Sequence, residues 1–175
     1  IILEIGFGSG ENLINSAKMN PNILYIGADP FLNTNARCLK ELLNSNITNV
    51  KIWPDDIRQL IHFFPLNTFS EIKILFPDPW PKSKHKNRRL IQNDFLSSLY
   101  NILKSHGVIT LGTDHVIMKS WILETFQAHH GFKWKAQDAS DWRTRPTDCF
   151  QTKYETKSII ENRKPNWFVF EKVIT

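Results

Sequence analysis

Cysteine is scarce in this 175-residue chain. Its two copies, Cys38 and Cys149, lie far apart and belong to no C-x-x-C pair, which excludes a disulfide scaffold or thiolate metal knuckle and leaves two reduced thiols. The six histidines show no metal-ligand spacing: His129 and His130 are adjacent, hence on different faces of a helix, and the rest are scattered. No bound metal is expected. No apolar run approaches the roughly 20 residues that span a bilayer, and no basic leader with an apolar core opens the sequence. A cytoplasmic protein without a membrane partner is the expectation. Repeats and low-complexity linkers are absent as well, so residues 1–175 read as a single domain, expected to be a monomer. With 41% hydrophobic and 12% aromatic residues the chain can bury a sizeable core. The opening run, Ile1 to Ile5, reads as a strand already under way, so residues upstream of it are expected.

Two apolar periods alternate along the chain. Strand-like stretches fall at 1–5, 23–28, 49–53, 70–76, 107–112 and 166–173, with a further short one near 132–136. Helix-like stretches fall at 11–19, 33–44, 56–63, 88–104 and 115–129, the fourth carrying Leu90, Phe95, Leu96, Leu99 and Leu103 as a stripe. Alternation at this spacing predicts βαβ units: an α/β, doubly wound, mostly parallel sheet of seven strands with helices on both faces. Before the last strand a stretch of a dozen or more residues shows little apolar periodicity and reads as a long loop.

Charge is concentrated. The formal net charge is +5, and Lys82, Lys84, Lys86, Arg88 and Arg89 place five cations in eight residues, so the remainder is formally neutral. Such a run is either a solvated loop or a grip for a polyanion. It directly follows the strand Ile72–Phe76 and the turn Pro77-Asp78-Pro79-Trp80-Pro81. Each proline fixes its own φ and steers the residue before it toward extended geometry, which predicts constrained, extended Phe76, Asp78 and Trp80. Strand ends of this kind are where open α/β sheets bind ligands.

A second motif, Glu4-Ile5-Gly6-Phe7-Gly8-Ser9-Gly10, follows the first strand and opens a helix. Alternate glycines permit a tight turn and close backbone approach by a ligand, and the helix N-terminus offers free N–H groups. Glu11 stands where a dinucleotide fingerprint has its third glycine, and Glu4 sits where a carboxylate would repel a pyrophosphate. The pattern resembles motif I of class I S-adenosylmethionine-dependent methyltransferases, whose loop faces a cofactor with a cationic amino-acid end. Asp29, at the end of the second strand, has the acceptor geometry for ribose hydroxyls. After the third strand stand Asp55 and Asp56, of which Asp56 is the candidate for an adenine amine; a helix N-cap is the alternative.

With FPDPWPKSKHKNRR at 76–89, the sequence is similar to the bacterial tRNA (guanine-N7-)-methyltransferase family. That family carries a GFG loop, a PDPWxKxRHxKRR cassette, a TD pair at the next strand end and a TKFE-like motif near the C-terminus. Here they are GFGSG at 6–10, PDPWPKSKHKNRR at 77–89, Thr113-Asp114, and Thr152-Lys153-Tyr154-Glu155. The resemblance implies a Rossmann-like fold with its last strand antiparallel, S-adenosylmethionine as cofactor, tRNA as partner, and methyl transfer to N7 of guanine 46 in the variable loop. It further implies cofactor contacts at Glu4, Gly6, Gly8, Gly10, Asp29, Asp56 and Asp78, catalysis by Asp78, and substrate contacts at Lys82, Asp114 and Thr152 to Glu155. RNA contacts are implied at Lys84, His85, Lys86, Arg88 and Arg89.

Three departures stand out. Asp29 replaces the family's usual Glu, Lys84 replaces an Arg and so loses a bidentate fork, and the family's N-terminal extension is missing. Several local readings stay open. Trp80 either stacks on a base or packs under the turn, and Asp114 either reads a base or caps the helix after it. The DPW turn also resembles the DPPW of amino-methyltransferases acting on exocyclic amines of adenine or cytosine, though its second proline is absent. A catalytically silent RNA-binding module is the alternative from another class.

Overall fold

A computed structural model describes residues 1–174. Strand β1 (Ile2–Ile5) leads through α1 (Glu11–Met19) to β2 (Tyr25–Ala28), α2 (Leu32–Asn44) and β3 (Val50–Trp53). Then come α3 (Ile57–Leu60), a 3₁₀ turn at Ile61–Phe63, β4 (Phe69–Leu75), a 3₁₀ helix at Ser83–Arg88, α4 (Asn93–Ile102) and β5 (Leu103–Thr113). The chain ends with α5 (Val116–Ala128), β6 (Phe132–Trp134), α6 (Lys153–Ile160) and β7 (Asn166–Lys172). The seven strands lie in the order β3-β2-β1-β4-β5-β7-β6, all parallel except β7, which runs antiparallel to both neighbours.

The two faces of the sheet differ in chemistry. Leu3, Ile5, Ile72, Ile74, Ile109, Leu111, Phe168 and Phe170 form one face and pack with α3, α4 and α5 into the main core. This clean alternation is the period that the sequence displays. On the other face, α1 and α2 cover β1 and β2 through Leu13, Ile14, Cys38 and Leu42. The centre of that face is polar. Lys73, 2% exposed, donates to the Asp148 carbonyl at 2.7 Å and its carboxylate at 2.9 Å, with Glu71 at 3.6 Å. Burial works against the ammonium, but the neighbouring carboxylates more than offset it and raise the Lys73 pKa. The segment between β6 and α6 therefore lies over β4 as a partner for its buried charge.

Four local expectations are corrected. The segment read as a loop before β7 contains α6, whose buried residues are the polar Glu155 and Ser158, so no apolar stripe marks it. The fourth helix starts at Asn93, not 88, and Leu103 belongs to β5, which also starts earlier than 107 and carries a register shift near its start. The cationic run, read as either loop or grip, is largely a 3₁₀ helix. Phe76 and Trp80 are not extended: φ is +54° and +38°. Proline biases the residue before it away from the right-handed helical region and toward extended geometry, and that bias is overridden here. Tertiary tethers choose for Phe76, whose N–H donates to the Gly112 carbonyl at 2.8 Å and whose ring meets Trp167 edge-on at 5.7 Å.

Candidate active site at the carboxyl ends of the strands

A crevice of about 260 Å³ opens beyond the ends of β1, β2 and β4. Its floor is the glycine loop, where Gly6, Gly8 and Gly10 have φ of +76°, +57° and +88°. A Cβ at Gly6 would meet nothing within 4 Å, so the bare backbone there faces open space available to a ligand. Gly10 differs, because a Cβ there would lie 2.6 Å from Cys38 Sγ; it lets α1 approach α2.

The carboxylates around this loop are already engaged. Glu4 lies beneath it, 3% exposed, and its Oε2 accepts from Asn12 Nδ2 at 2.7 Å. Burial pushes the Glu4 carboxyl up to about 7, against the lowering effect of that hydrogen bond. Glu4 is not among the crevice-lining residues, so its side chain supports the loop from behind. Asp29 does line the crevice, but its Oδ2 accepts from the Gly8 N–H at 2.9 Å. Its Oδ1 accepts from the Phe31 N–H and Thr34 Oγ1, leaving little free lone-pair capacity for a diol. Asp56 combines both readings of it, since it caps α3 through the Arg58 N–H and also lines the crevice. The Arg58 guanidinium grips the same carboxylate and holds its pKa below the usual range.

Opposite stands the proline turn. Asp78 is exposed, lines the crevice, and has no hydrogen-bonding side-chain partner among the described residues. Trp80 lines it too, with the Arg88 guanidinium 5.0 Å from its ring centre and the His85 ring edge-on at 5.8 Å. Trp80 therefore organises a cation at the rim. Lys82, Lys84 and Lys86 are exposed beside it. Arg89 points the other way: only 6% exposed, it donates to the carbonyls of Pro79 and Trp80 and sits 4.6 Å over the Trp121 ring. It fastens the turn to α5 and presents no charge to the surface, unlike the other four cations.

The residues 152–155 form the start of α6. Thr152 caps it, its Oγ1 accepting from the Glu155 N–H at 3.2 Å, while Glu155 pairs with Arg145 at 2.9 Å. Lys153 ties the helix to the glycine loop through Ser9 Oγ and Glu11 Oε1, each at 3.1 Å. Tyr154 is the member that reaches the crevice, against Gly8. The T-x-x-E spacing is a capping signature, and it was the available signal for a helix that apolar periodicity misses. Asp114 lies outside the crevice and accepts from Ser158 Oγ and Arg163 Nε, both at 2.6 Å. The cap of α5 is His115 instead. Sequence reasoning missed Arg58, Thr34 and Arg145, each of which holds a site carboxylate.

Comparison with known proteins adds the decisive observation. Residues 1–168 match a family model described as a putative methyltransferase. The chain is 40% identical over 168 residues to a tRNA (guanine-N(7)-)-methyltransferase of Hyphomonas neptunium, covering 96% of this chain and 76% of that protein. It is 36% identical to the Rhodospirillum rubrum protein of the same name, covering 97% and 67% respectively. The chain belongs to the tRNA (guanine-N(7)-)-methyltransferase family. Solved structures agree in fold. A precorrin-6y C5,15-methyltransferase from Geobacter metallireducens superposes with a TM-score of 0.63 at 15% identity, covering 98% of this chain and 78% of that one. An rRNA methylase from Streptococcus thermophilus gives 0.61 at 12%, covering 99% and 87%. In this member of the family, the crevice occupies the strand ends where such folds hold ligands. Among the described residues no group of three or more His, Cys, Asp or Glu could hold a metal ion. No described helix is long and apolar enough to cross a membrane.

Proposed function

We infer that the protein transfers a methyl group from S-adenosylmethionine to N7 of a guanine in tRNA. The observation that carries this reading is one crevice in which an open glycine loop faces an unpartnered carboxylate, Asp78, rimmed by cations, in a chain of this family. The site fits the cofactor. Gly6 leaves room for close backbone approach, and Asp29 and Asp56, fixed by their protein partners, line the same wall with the acceptor sites that those partners leave. When bound, S-adenosylmethionine supplies a methyl carbon on a sulfonium, whose C–S bond breaks with the electron pair going to sulfur.

The chain's own residues do the rest. Guanine N7 attacks with an in-plane lone pair and carries no proton, so the site needs alignment and charge compensation in place of a general base. Asp78 accepts from the guanine's ring N–H or amino group and offsets the positive charge that develops as N7 is alkylated. Tyr154 and Trp80 border the same space and hold the base. Thr152, Lys153 and Glu155 act one step back, by keeping α6 against the loop. Lys82, Lys84, Lys86 and Arg88 position RNA through phosphates. We assign the target to position 46 of the variable loop on the motif resemblance, and propose a monomer that works in the cytoplasm without metal. Nucleoside mass spectrometry of unmodified tRNA treated with the protein tests the reading: 7-methylguanosine is expected, and N6-methyladenosine in its place would overturn it.

A further inference from the structure

A second, larger groove of about 670 Å³ lies at the other end of α6. Its lining includes Lys119 of α5, Trp142 and Arg143 of the β6–α6 segment, Ile159 at the end of α6, and Arg163 and Lys164 beyond it. Sequence gives no hint of it, because its cations come from three separated places. Trp142 is pinned by its carbonyl, which accepts from the Trp167 N–H at 2.8 Å. Its ring carries two cations, Lys119 Nζ at 4.5 Å and Arg143 Cζ at 4.8 Å from the ring centre.

That arrangement has a consequence for binding. An aromatic face orders a long cationic side chain without cancelling its charge, as a carboxylate would. Lys119, Arg143 and Lys164 have no carboxylate within ion-pair distance among the described residues, whereas Arg163 is paired with both Asp114 and Glu161, so its charge is already offset. The groove therefore presents ordered, unneutralised positive charge in a concave surface. The crevice rim repeats the device with Arg88 over Trp80. Tyr154 lines the crevice and Ile159 lines the groove, five residues along one helix, so the two sites are about 8 Å apart along its axis.

We propose that this groove is a second RNA-backbone site, holding phosphates of the same tRNA whose guanine occupies the crevice, so that the strand crosses α6. The proposal rests on the reaction inferred above for its choice of RNA. Arg163, held by Asp114 and Glu161, shapes the groove wall and is not counted among its phosphate contacts.

The test is tRNA affinity as a function of salt for the native chain and for a Lys119→Gln, Arg143→Gln, Lys164→Gln triple variant. Three lost phosphate contacts should make the slope of log affinity against log salt shallower by roughly 2–3 and weaken binding by about tenfold or more at low salt. KM for tRNA should rise, while kcat at saturating tRNA and cofactor affinity stay unchanged. An unchanged slope would overturn the groove and leave it to an acidic protein partner, even if native protein makes 7-methylguanosine. Conversely, native protein that makes none, yet shows the shallower slope in the variant, would lose the proposed reaction and keep the groove. Should the triple variant lose cofactor binding as well, Lys164→Gln alone decides, since its side chain is exposed and makes no hydrogen bond or ion pair among the described residues: a slope shallower by about 0.7–0.9 is expected, and no change overturns the proposal.

Discussion

The two walls of the crevice treat charge in opposite ways. On the glycine-loop side every carboxylate is already held: Glu4 by Asn12, and Asp29 by Gly8, Phe31 and Thr34. Arg58 holds Asp56 on the same wall. On the proline-turn side, among the described residues, Asp78 is left without a side-chain partner, and the neighbouring Lys82, Lys84 and Lys86 have no carboxylate within ion-pair distance. A held carboxylate shapes backbone; a free one is available to a ligand. The first wall is thus set in shape by folding before a ligand arrives, and the second is completed by the substrate.

Substitutions should fall into two classes accordingly. Asp78→Asn should lower kcat by about 100-fold or more with tRNA affinity and thermal stability nearly unchanged, because a preorganised charge of this kind contributes on the order of 3 kcal/mol to the transition state. A fall in melting temperature accounting for the lost activity would erase the distinction between the walls. Glu4→Gln should act on stability instead. The folded carboxyl ionises at about 7 against an ordinary value of 4.5, so its stabilising contribution is complete below pH 4.5 and is lost as pH rises through 7. Relative to the variant, the native protein should lose on the order of 3 kcal/mol across that window, read from urea unfolding at a series of pH values. A difference independent of pH would mean that Glu4 is ionised in the folded chain.

Arg89 is the sharpest check on the second wall, since it belongs to the cationic run and yet is turned inward. Arg89→Ala should cost about 2 kcal/mol of stability through lost carbonyl contacts and the Trp121 stack, with the salt dependence of tRNA binding intact. The smallest effect belongs to Lys84→Gln, one exposed cation: fluorescence titration should show a salt slope shallower by about 0.7–0.9 and no change in melting temperature. A Lys84 variant that melted early, or an Arg89 variant that lost only salt dependence, would invert the assignment.

What the sequence made legible follows from which forces act locally. Hydrophobic period revealed the strand and helix alternation, including short β6, because burial on one face imposes that period. It could not reveal α6, which packs through Glu155 and Ser158, nor the early start of β5. Motif order located the crevice, since Gly6, Asp56, Asp78 and Tyr154 do converge there. It did not separate residues that face a ligand from those that brace them. Glu4, Arg89 and Thr152 have polar side chains like their neighbours, and only three-dimensional partners show that each serves the interior. The groove around Trp142 was hidden for a further reason: its charges come from three separated stretches, so no cationic run marks it.

Lys73 carries a consequence for how the chain assembles. Glu71 on the same strand stands 3.6 Å from the Lys73 ammonium, but the hydrogen bonds to that ammonium come from Asp148, 75 residues downstream, and so form only after most of the polypeptide exists. Leaving an ammonium unpaired inside a sheet costs several kcal/mol. An emerging N-terminal half can therefore form helices, local turns and the Lys73–Glu71 pair, but the hydrogen bonds that satisfy the buried ammonium wait for the late segment, which makes that step of assembly long-range and slow. Pulse-labelled hydrogen exchange during refolding should show amides of β4 and of residues 146–150 gaining protection together; protection of β4 first would show that the ammonium finds shelter elsewhere.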